Sequence, residues 1–278
     1  MRLHFTKMQG LGNDFVVLDQ LSHPCFISHK QISEMSDRQT GIGFDQLIYI
    51  EAPVRPDADF HYRVFNADGR EIEHCGNGAR CFYRYVRDKR LTWKKTIKVS
   101  TEAGGLIEMT QAGQGMVSVT MEEPQFASAQ IPITEQGDNS SLYSLTVNDE
   151  CFDVGLVSVG NPHCVLLVPD VKVAAVKRIG QLIRHHSYFP QQVNVGFMEV
   201  VSPTRAKLRV YERGVGETLA CGTGACAAFA IGRSQGWLDE RIRIELPGGT
   251  LQLIWKGEQH QMIMTGPAET VFEGHIDL

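Results

Sequence analysis

A cysteine that opens a glycine turn occurs twice in this chain, as Cys75-Gly76-Asn77-Gly78-Ala79-Arg80-Cys81 and as Cys221-Gly222-Thr223-Gly224-Ala225-Cys226. Each copy follows a strand-like run and opens a helix-like one, so each thiol is expected beside helix amides that have no partner within the helix. The positive end of a helix lowers a thiol's pKa, and the same amides can hold a carboxylate. One local design thus offers both an acid–base group and a substrate anchor.

The repeat extends well beyond the turn. Asn13 and Asn161 are 161 − 13 = 148 residues apart, Gln46 and Asn194 are 194 − 46 = 148 apart, and Asn66 and Glu212 are 212 − 66 = 146 apart. The two cysteines are 221 − 75 = 146 apart, and the pairs Gly104-Gly105 and Gly248-Gly249 are 248 − 104 = 144 apart. A chance recurrence of glycine-rich turns is the alternative, but the kept order and spacing favour duplication. Each half reads as several short strands and a helix. The run Ala225 to Ile231 is apolar all round, so that helix is expected to be wrapped by sheet.

Local signals fill in the halves. Ser28 is a plausible cap for a short helix carrying Ile32 and Met35, and Gly41 ends it. Asp170 is expected to cap a second helix with Val173, Val176, Ile179 and Ile183 on one side. The basic run Arg80, Arg84, Arg87, Lys89, Arg90, Lys94 and Lys95 reads as a solvated helix face and its exit loop. Strand-like Thr270-Val271-Phe272 is expected to return to the first half. The boundaries that follow are 1–122 plus 267–278 for an N-terminal domain carrying Cys75, and 123–266 for a C-terminal domain carrying Cys221.

Composition narrows the partners. A length of 278 residues suits two domains, and a formal charge of −5 gives no reason to expect nucleic acid. No apolar run approaches the roughly 18 residues that span a bilayer, and the opening residues lack a signal-peptide core, so no membrane is expected and the cytoplasm is the expected compartment. Seven cysteines without a Cys-x-x-Cys pair support neither a disulfide framework nor structural zinc. Cys25, Cys81, Cys151, Cys164 and Cys226 sit in loop, strand or helix contexts where cysteine is a small hydrophobe, and only Cys75 and Cys221 open a glycine turn.

Two acid–base thiols suit inversion at a carbon alpha to a carboxylate, where a proton leaves one face and another arrives on the opposite face. No lysine lies in a recognisable pyridoxal-phosphate context and the metal signal is weak, so no cofactor is expected and helix-end and side-chain amides would stabilise the carbanion. The chain resembles the diaminopimelate epimerases over essentially its whole length. The resemblance rests on Gly10-Leu11-Gly12-Asn13-Asp14-Phe15, Phe65-Asn66-Ala67-Asp68-Gly69, the Cys75 turn, Gly160-Asn161-Pro162-His163, Asn194-Val195, and Tyr211-Glu212-Arg213-Gly214 with the Cys221 turn.

That resemblance implies an α/β (α+β) fold of two pseudo-symmetric halves, each a curled, mostly antiparallel sheet or barrel around a central helix. It implies cofactor-independent conversion of LL- to meso-diaminopimelate, in lysine and peptidoglycan precursor biosynthesis. It further implies that Cys75 and Cys221 are the catalytic thiols, tuned by His163 and Glu212. Asn13, Gln46, Gly76, Asn77, Gly222 and Thr223 would hold the reacting centre. Asn66, Asn161, Asn194 and Arg213 would help hold the distal amino-acid end, and Glu212 would also contact the substrate. A homodimer is also implied, and Phe272 departs from the pattern at a dimer-contact position: well-known members carry tyrosine there, so the ring is kept and the hydroxyl lost. The nearest rival is another two-thiol racemase, which would not need the four residues assigned to the distal end. A thiol–disulfide redox protein or a non-catalytic binding module would leave those residues or the thiols without a role.

Overall fold

The computed structural model describes residues 2–72, 75–113, 115–127, 131–134 and 142–278. The chain forms two compact units, Met1–Thr120 with Thr265–Leu278, and Met121–Met264.

In the first unit β1 (Arg2–Gly10) and β2 (Asn13–Asp19) form a hairpin, α1 (His29–Ser36) follows, and β3 (Gln46–Glu51) runs parallel to β2. The hairpin turns on two residues, Leu11 and Gly12, with φ of 59° and 84°, which is the backbone hand that keeps a tight hairpin twisted with its strands. Asn13 therefore starts β2 at a fixed place. β4 (Phe60–Asn66) is antiparallel to β3 and to the short β5 (Glu71–Ile72). Next come α2 (Gly76–Asp88), β6 (Thr96–Thr101) parallel to β4, and the antiparallel β7 (Leu106–Gln111) and β8 (Met116–Met121).

The second unit repeats the plan. β9 (Leu142–Val147), β10 (Glu150–Ser158) and β11 (Pro162–Leu167) are antiparallel neighbours, α3 (Val176–Arg184) follows, and β12 (Asn194–Ser202) is parallel to β11. β13 (Arg205–Glu212), β14 (Gly216–Thr218), α4 (Gly222–Ser234), β15 (Arg241–Leu246), β16 (Gly249–Ile254) and β17 (Met262–Pro267) complete it. β15 is parallel to β13, as β6 is to β4. The last strand, β18 (Glu269–Asp277), lies antiparallel to β1 as β9 lies beside β10.

Pairing register carries the duplication down to single residues. Phe15 faces Gln46 across β2 and β3, and His163 faces Asn194 across β11 and β12, with 163 − 15 and 194 − 46 both 148. Val64 faces Ile72 and Val210 faces Thr218, with 210 − 64 and 218 − 72 both 146.

Alternation along the strands assigns the two faces of each sheet. In the first unit Val16, Leu18, Leu47 and Tyr49 pack with Ile32 and Met35 of α1. Phe15 and Ile48 instead meet the start of α2, where a Cβ on Gly78 would lie 2.5 Å from the Tyr62 hydroxyl and 3.2 Å from Phe15. Helix α4 buries Ala225 through Ile231, as expected of a helix apolar all round. Ser28 caps α1 with a full capping box through Gln31.

Asp170 does not cap α3. The helix begins at Val176 after Ala175, Val173 is exposed, and Asp170 accepts instead from the Lys172 amide. The cause is tertiary: the Val171 amide donates to Glu199, while the carbonyls of Val171 and Ala174 accept from Arg209. Side chains of β12 and β13 thus satisfy backbone groups that a helix would otherwise have paired.

Candidate active site

Cys75 is the N-cap of α2, with extended backbone (φ −137°, ψ 116°), and the first intrahelical bond runs from the Ala79 amide to the Cys75 carbonyl. The carbonyl also accepts from the Tyr62 hydroxyl at 3.2 Å. The Cys75 Sγ lies 3.8 Å from Asn13 Oδ1, which also accepts from Asn77 Nδ2 at 3.3 Å. Asn13 Nδ2 in turn donates to Asp45 at 3.0 Å. Gln46 donates to Asn66 at 3.0 Å across the β3–β4 pair, and the Gln46 Oε1 is buried with no partner. Gly76 is the first residue of α2, ahead of its first intrahelical bond.

Cys221 is the N-cap of α4 in the same conformation (φ −123°, ψ 109°), with the Ala225 amide bonded to its carbonyl. Its Sγ donates to Glu212 Oε2 at 3.1 Å and lies 3.6 Å from the Thr223 hydroxyl. The other Glu212 oxygen accepts from Thr218. Gly224 is glycine for a local reason: a Cβ there would come within 3.3 Å of the Cys221 sulfur and 3.0 Å of Val210. Gly222 opens the helix beside it.

The helix end does not set the Cys221 proton affinity as the sequence reading expects. Burial first, then the Glu212 charge and hydrogen bond, push the thiol well above its usual value, while the Thr223 hydroxyl and Gly224 amide pull the other way and lose. Cys221 rests as a thiol.

His163 is fully buried, and its Nε2 meets Asn161 Oδ1 at 2.9 Å. Burial, helped by the Arg213 charge, holds it down at about 3, so the ring is neutral at physiological pH. Since a neutral imidazole carries one N–H and Asn161 presents an oxygen, the proton sits on Nε2 and the buried Nδ1 is a bare acceptor. Asn194 accepts from the Arg213 amide at 2.8 Å and donates to the Pro162 carbonyl at 3.4 Å, and the Arg213 guanidinium reaches the Gln191 carbonyl at 3.4 Å on an exposed side chain. Phe272 stands apart from these groups on β18, about half exposed, with its ring against Phe5.

Three residues at these helix ends escape sequence reading. Thr218 carries no motif, and Asp45 looks like an ordinary turn acid. Arg80 reads as part of a solvated basic face, yet it is fully buried, donating to Asn77 Oδ1 and to the Pro267 carbonyl, both at 3.0 Å. Its spacing of three from Asn77, on the face of the glycine turn, is the one signal that could have found it. Among the described residues no group of three or more His, Cys, Asp or Glu is arranged to hold a metal ion, and no helix is long and apolar enough to cross a membrane.

A duplicated α/β unit with a cysteine capping each buried helix defines a structural class. A probable proline racemase from Agrobacterium radiobacter K84 shares the fold, with a TM-score of 0.74 over 99% of this chain and 93% of that one at 14% identity. Sequence carries the assignment further. The family model for diaminopimelate epimerase matches residues 5–127 and 155–271. Diaminopimelate epimerases from Pseudomonas entomophila (strain L48) and Pseudomonas syringae pv. syringae (strain B728a) are 54% identical over 279 residues and 52% identical over 278, covering 100% of both chains in each case. The chain belongs to the diaminopimelate epimerase family.

Proposed function

We propose that this protein interconverts LL- and meso-diaminopimelate without pyridoxal phosphate, using Cys75 and Cys221 as the two acid–base groups. The observation that carries the reading is the thiol-capped, glycine-opened helix N-terminus built twice on one duplicated backbone. One thiolate takes the α proton and the other thiol returns a proton to the opposite face, so the product carries inverted configuration and the two thiols exchange roles. Cys221 is prepared as the donor: burial and Glu212 keep it protonated, and a carboxylate beside it makes its thiolate a strong base in the reverse direction. Amides at the two helix starts are suited to the carboxylate of the reacting centre, whose negative charge grows as the proton leaves.

On this reading Asn13, Gln46, Asn77 and Thr223 hold the reacting centre, while Asn66, Asn161, Asn194 and Arg213 serve the distal end. The unpartnered Gln46 oxygen and His163 Nδ1 are acceptors suited to ammonium or other donor hydrogens of a ligand. A homodimer formed through β18 and Phe272, and a place in the cytoplasm, complete the proposal. Incubation with LL-diaminopimelate in deuterium oxide tests it: meso product with deuterium at one α carbon is expected, and unlabelled, uninverted substrate would rule it out.

A further inference from the structure

The Cys75 sulfur faces a side-chain amide, and amides are ambiguous neighbours. Asn13 and Asn77 could each turn either an oxygen or an NH₂ toward the group beside them. The two ends of this chain of contacts remove the freedom. Arg80 has only donors, and its Nη2 lies 3.0 Å from the Asn77 side chain, so Asn77 presents its oxygen there and its NH₂ to Asn13, 3.3 Å away. The Asp45 carboxylate has only acceptors, and at 3.0 Å from Asn13 it draws the Asn13 NH₂ toward itself. Both ends impose the same answer: an oxygen, not an N–H, stands 3.8 Å from the sulfur. An acceptor there favours S–H over S⁻, and a donor would do the reverse.

Both ends are themselves held. Arg80 also donates to the Pro267 carbonyl at 3.0 Å, and a Cβ on Gly10 would come within 3.2 Å of its Nη2. Asp45 is gripped by Arg38 at 2.8 Å, which also pairs with Asp14 at 2.8 Å, and Asp14 pairs with the buried Lys7 at 2.7 Å. The duplicated fold does not require this arrangement. At the offset of 146 the position matching Arg80 is Cys226, a fully buried apolar residue, so a helix of this kind packs without a guanidinium. Among the described residues the Tyr62 hydroxyl and the Cys81 thiol also interact with Cys75 electrostatically, and burial keeps both neutral.

We infer that Arg80 and Asp45 are positioning residues that lock the carboxamides of Asn77 and Asn13 with the Asn13 oxygen toward Cys75, and thereby set the balance of thiol and thiolate at that sulfur. The inference rests on Cys75 being an acid–base group, but its test needs no substrate. Alkylation of the full-length protein by iodoacetamide across pH, with each cysteine followed by peptide mass spectrometry, gives the midpoint at which Cys75 becomes reactive. In Arg80→Gln the midpoint moves down by about half a unit, although loss of the cation alone would raise it, because an N–H can then reach the thiolate. In Asp45→Ala the lost anion and the freed amide both move it down, by about one unit. Cys221 keeps its own profile. Arg80→Lys, still donor-only, keeps the original Cys75 midpoint.

An unmoved Cys75 midpoint in folded Arg80→Gln and Asp45→Ala overturns the inference. So does Arg80→Lys shifting as far as Arg80→Gln, which would assign the effect to packing. If the buried Arg80 variants do not fold, Asp45→Ala, whose side chain is 45% exposed, decides alone when read at high salt, where the lost charge is screened and only the turned amide still lowers the midpoint. Failure of the epimerase reading would show separately, as the absence of inversion by the unaltered protein in deuterium oxide.

Discussion

The two helix starts share a backbone and differ in what faces the sulfur. At Cys221 a carboxylate oxygen of Glu212 accepts the S–H, and Thr218 holds the other oxygen. At Cys75 a neutral group, the Asn13 carboxamide, lies 3.8 Å from the sulfur, held through Asn77 by Arg80 and from the other side by Asp45. Asn66 stands where Glu212 stands, 146 residues earlier, and turns to Gln46 instead. Duplication thus preserved the register that aims each helix at its site, while single substitutions gave one thiol an anionic partner and the other an amide. On the proposed two-thiol mechanism the thiols work in opposite senses and gain from unequal surroundings, because their proton affinities are then tuned separately.

Removing either sulfur tests that division most severely. Cys75→Ala and Cys221→Ala are each expected to lose epimerisation entirely, while Cys25→Ala and Cys151→Ala retain it. Substantial turnover by either single variant at the helix starts would end the two-thiol reading. Next in size, Glu212→Gln is expected to lower turnover by roughly 10²–10⁴-fold, the range for loss of acid–base assistance. It should also bring the Cys221 alkylation midpoint down, leaving that of Cys75 in place; a Cys221 midpoint indifferent to the change would place its control elsewhere.

The paired glycines separate packing from chemistry. Gly78→Ala drives a Cβ to 2.5 Å from the Tyr62 hydroxyl and is expected to destabilise the protein by about 1–3 kcal/mol in urea unfolding. In Gly224→Ala the nearest approach is the looser 3.0 Å to Val210, with the Cys221 sulfur at 3.3 Å, so less stability and more turnover should be lost. Equal losses of both kinds in the two variants would erase the contrast. Thr218→Val removes one hydrogen bond to Glu212, worth about 1 kcal/mol or some fivefold in rate, without touching Cys75 chemistry.

The smallest effect is confined to acid. Burial raises the Asp14 carboxyl, but hydrogen bonds from Arg38 and Lys7 and the Lys7 charge outweigh it, leaving it at about 2 against an ordinary 3.8. A depressed folded-state pKa contributes stability that is complete above 3.8 and is lost as pH falls toward 2. Asp14→Asn should therefore flatten the acid limb of thermal stability between those values. An unchanged limb would mean that the network beside Cys75 adds nothing to acid stability.

What could be read from the chain was local or repeated. Ser28 announces its helix because a capping box involves only neighbours in sequence. The duplication is visible because glycine turns recur at nearly constant offsets, and with it come the two cysteine caps and the buried α4. Asp170 misleads because Glu199 and Arg209, from other strands, take the backbone groups on which its helix would depend. Arg80 misleads because a charged residue in a basic run has solvent as its ordinary fate, and only packing reveals carbonyl and amide partners inside.

Sequence by itself determined the repeated strand and helix plan, the place of each thiol at a helix start, and the family, since these rest on periodicity, turn chemistry and motifs carried along the chain. Tertiary structure alone decided the state of the sulfurs' surroundings. The helix end by itself would lower the Cys221 pKa, but burial and a carboxylate nine residues upstream reverse it. Proton affinity is a sum over everything within a few ångströms, and those neighbours arrive only when distant strands pair.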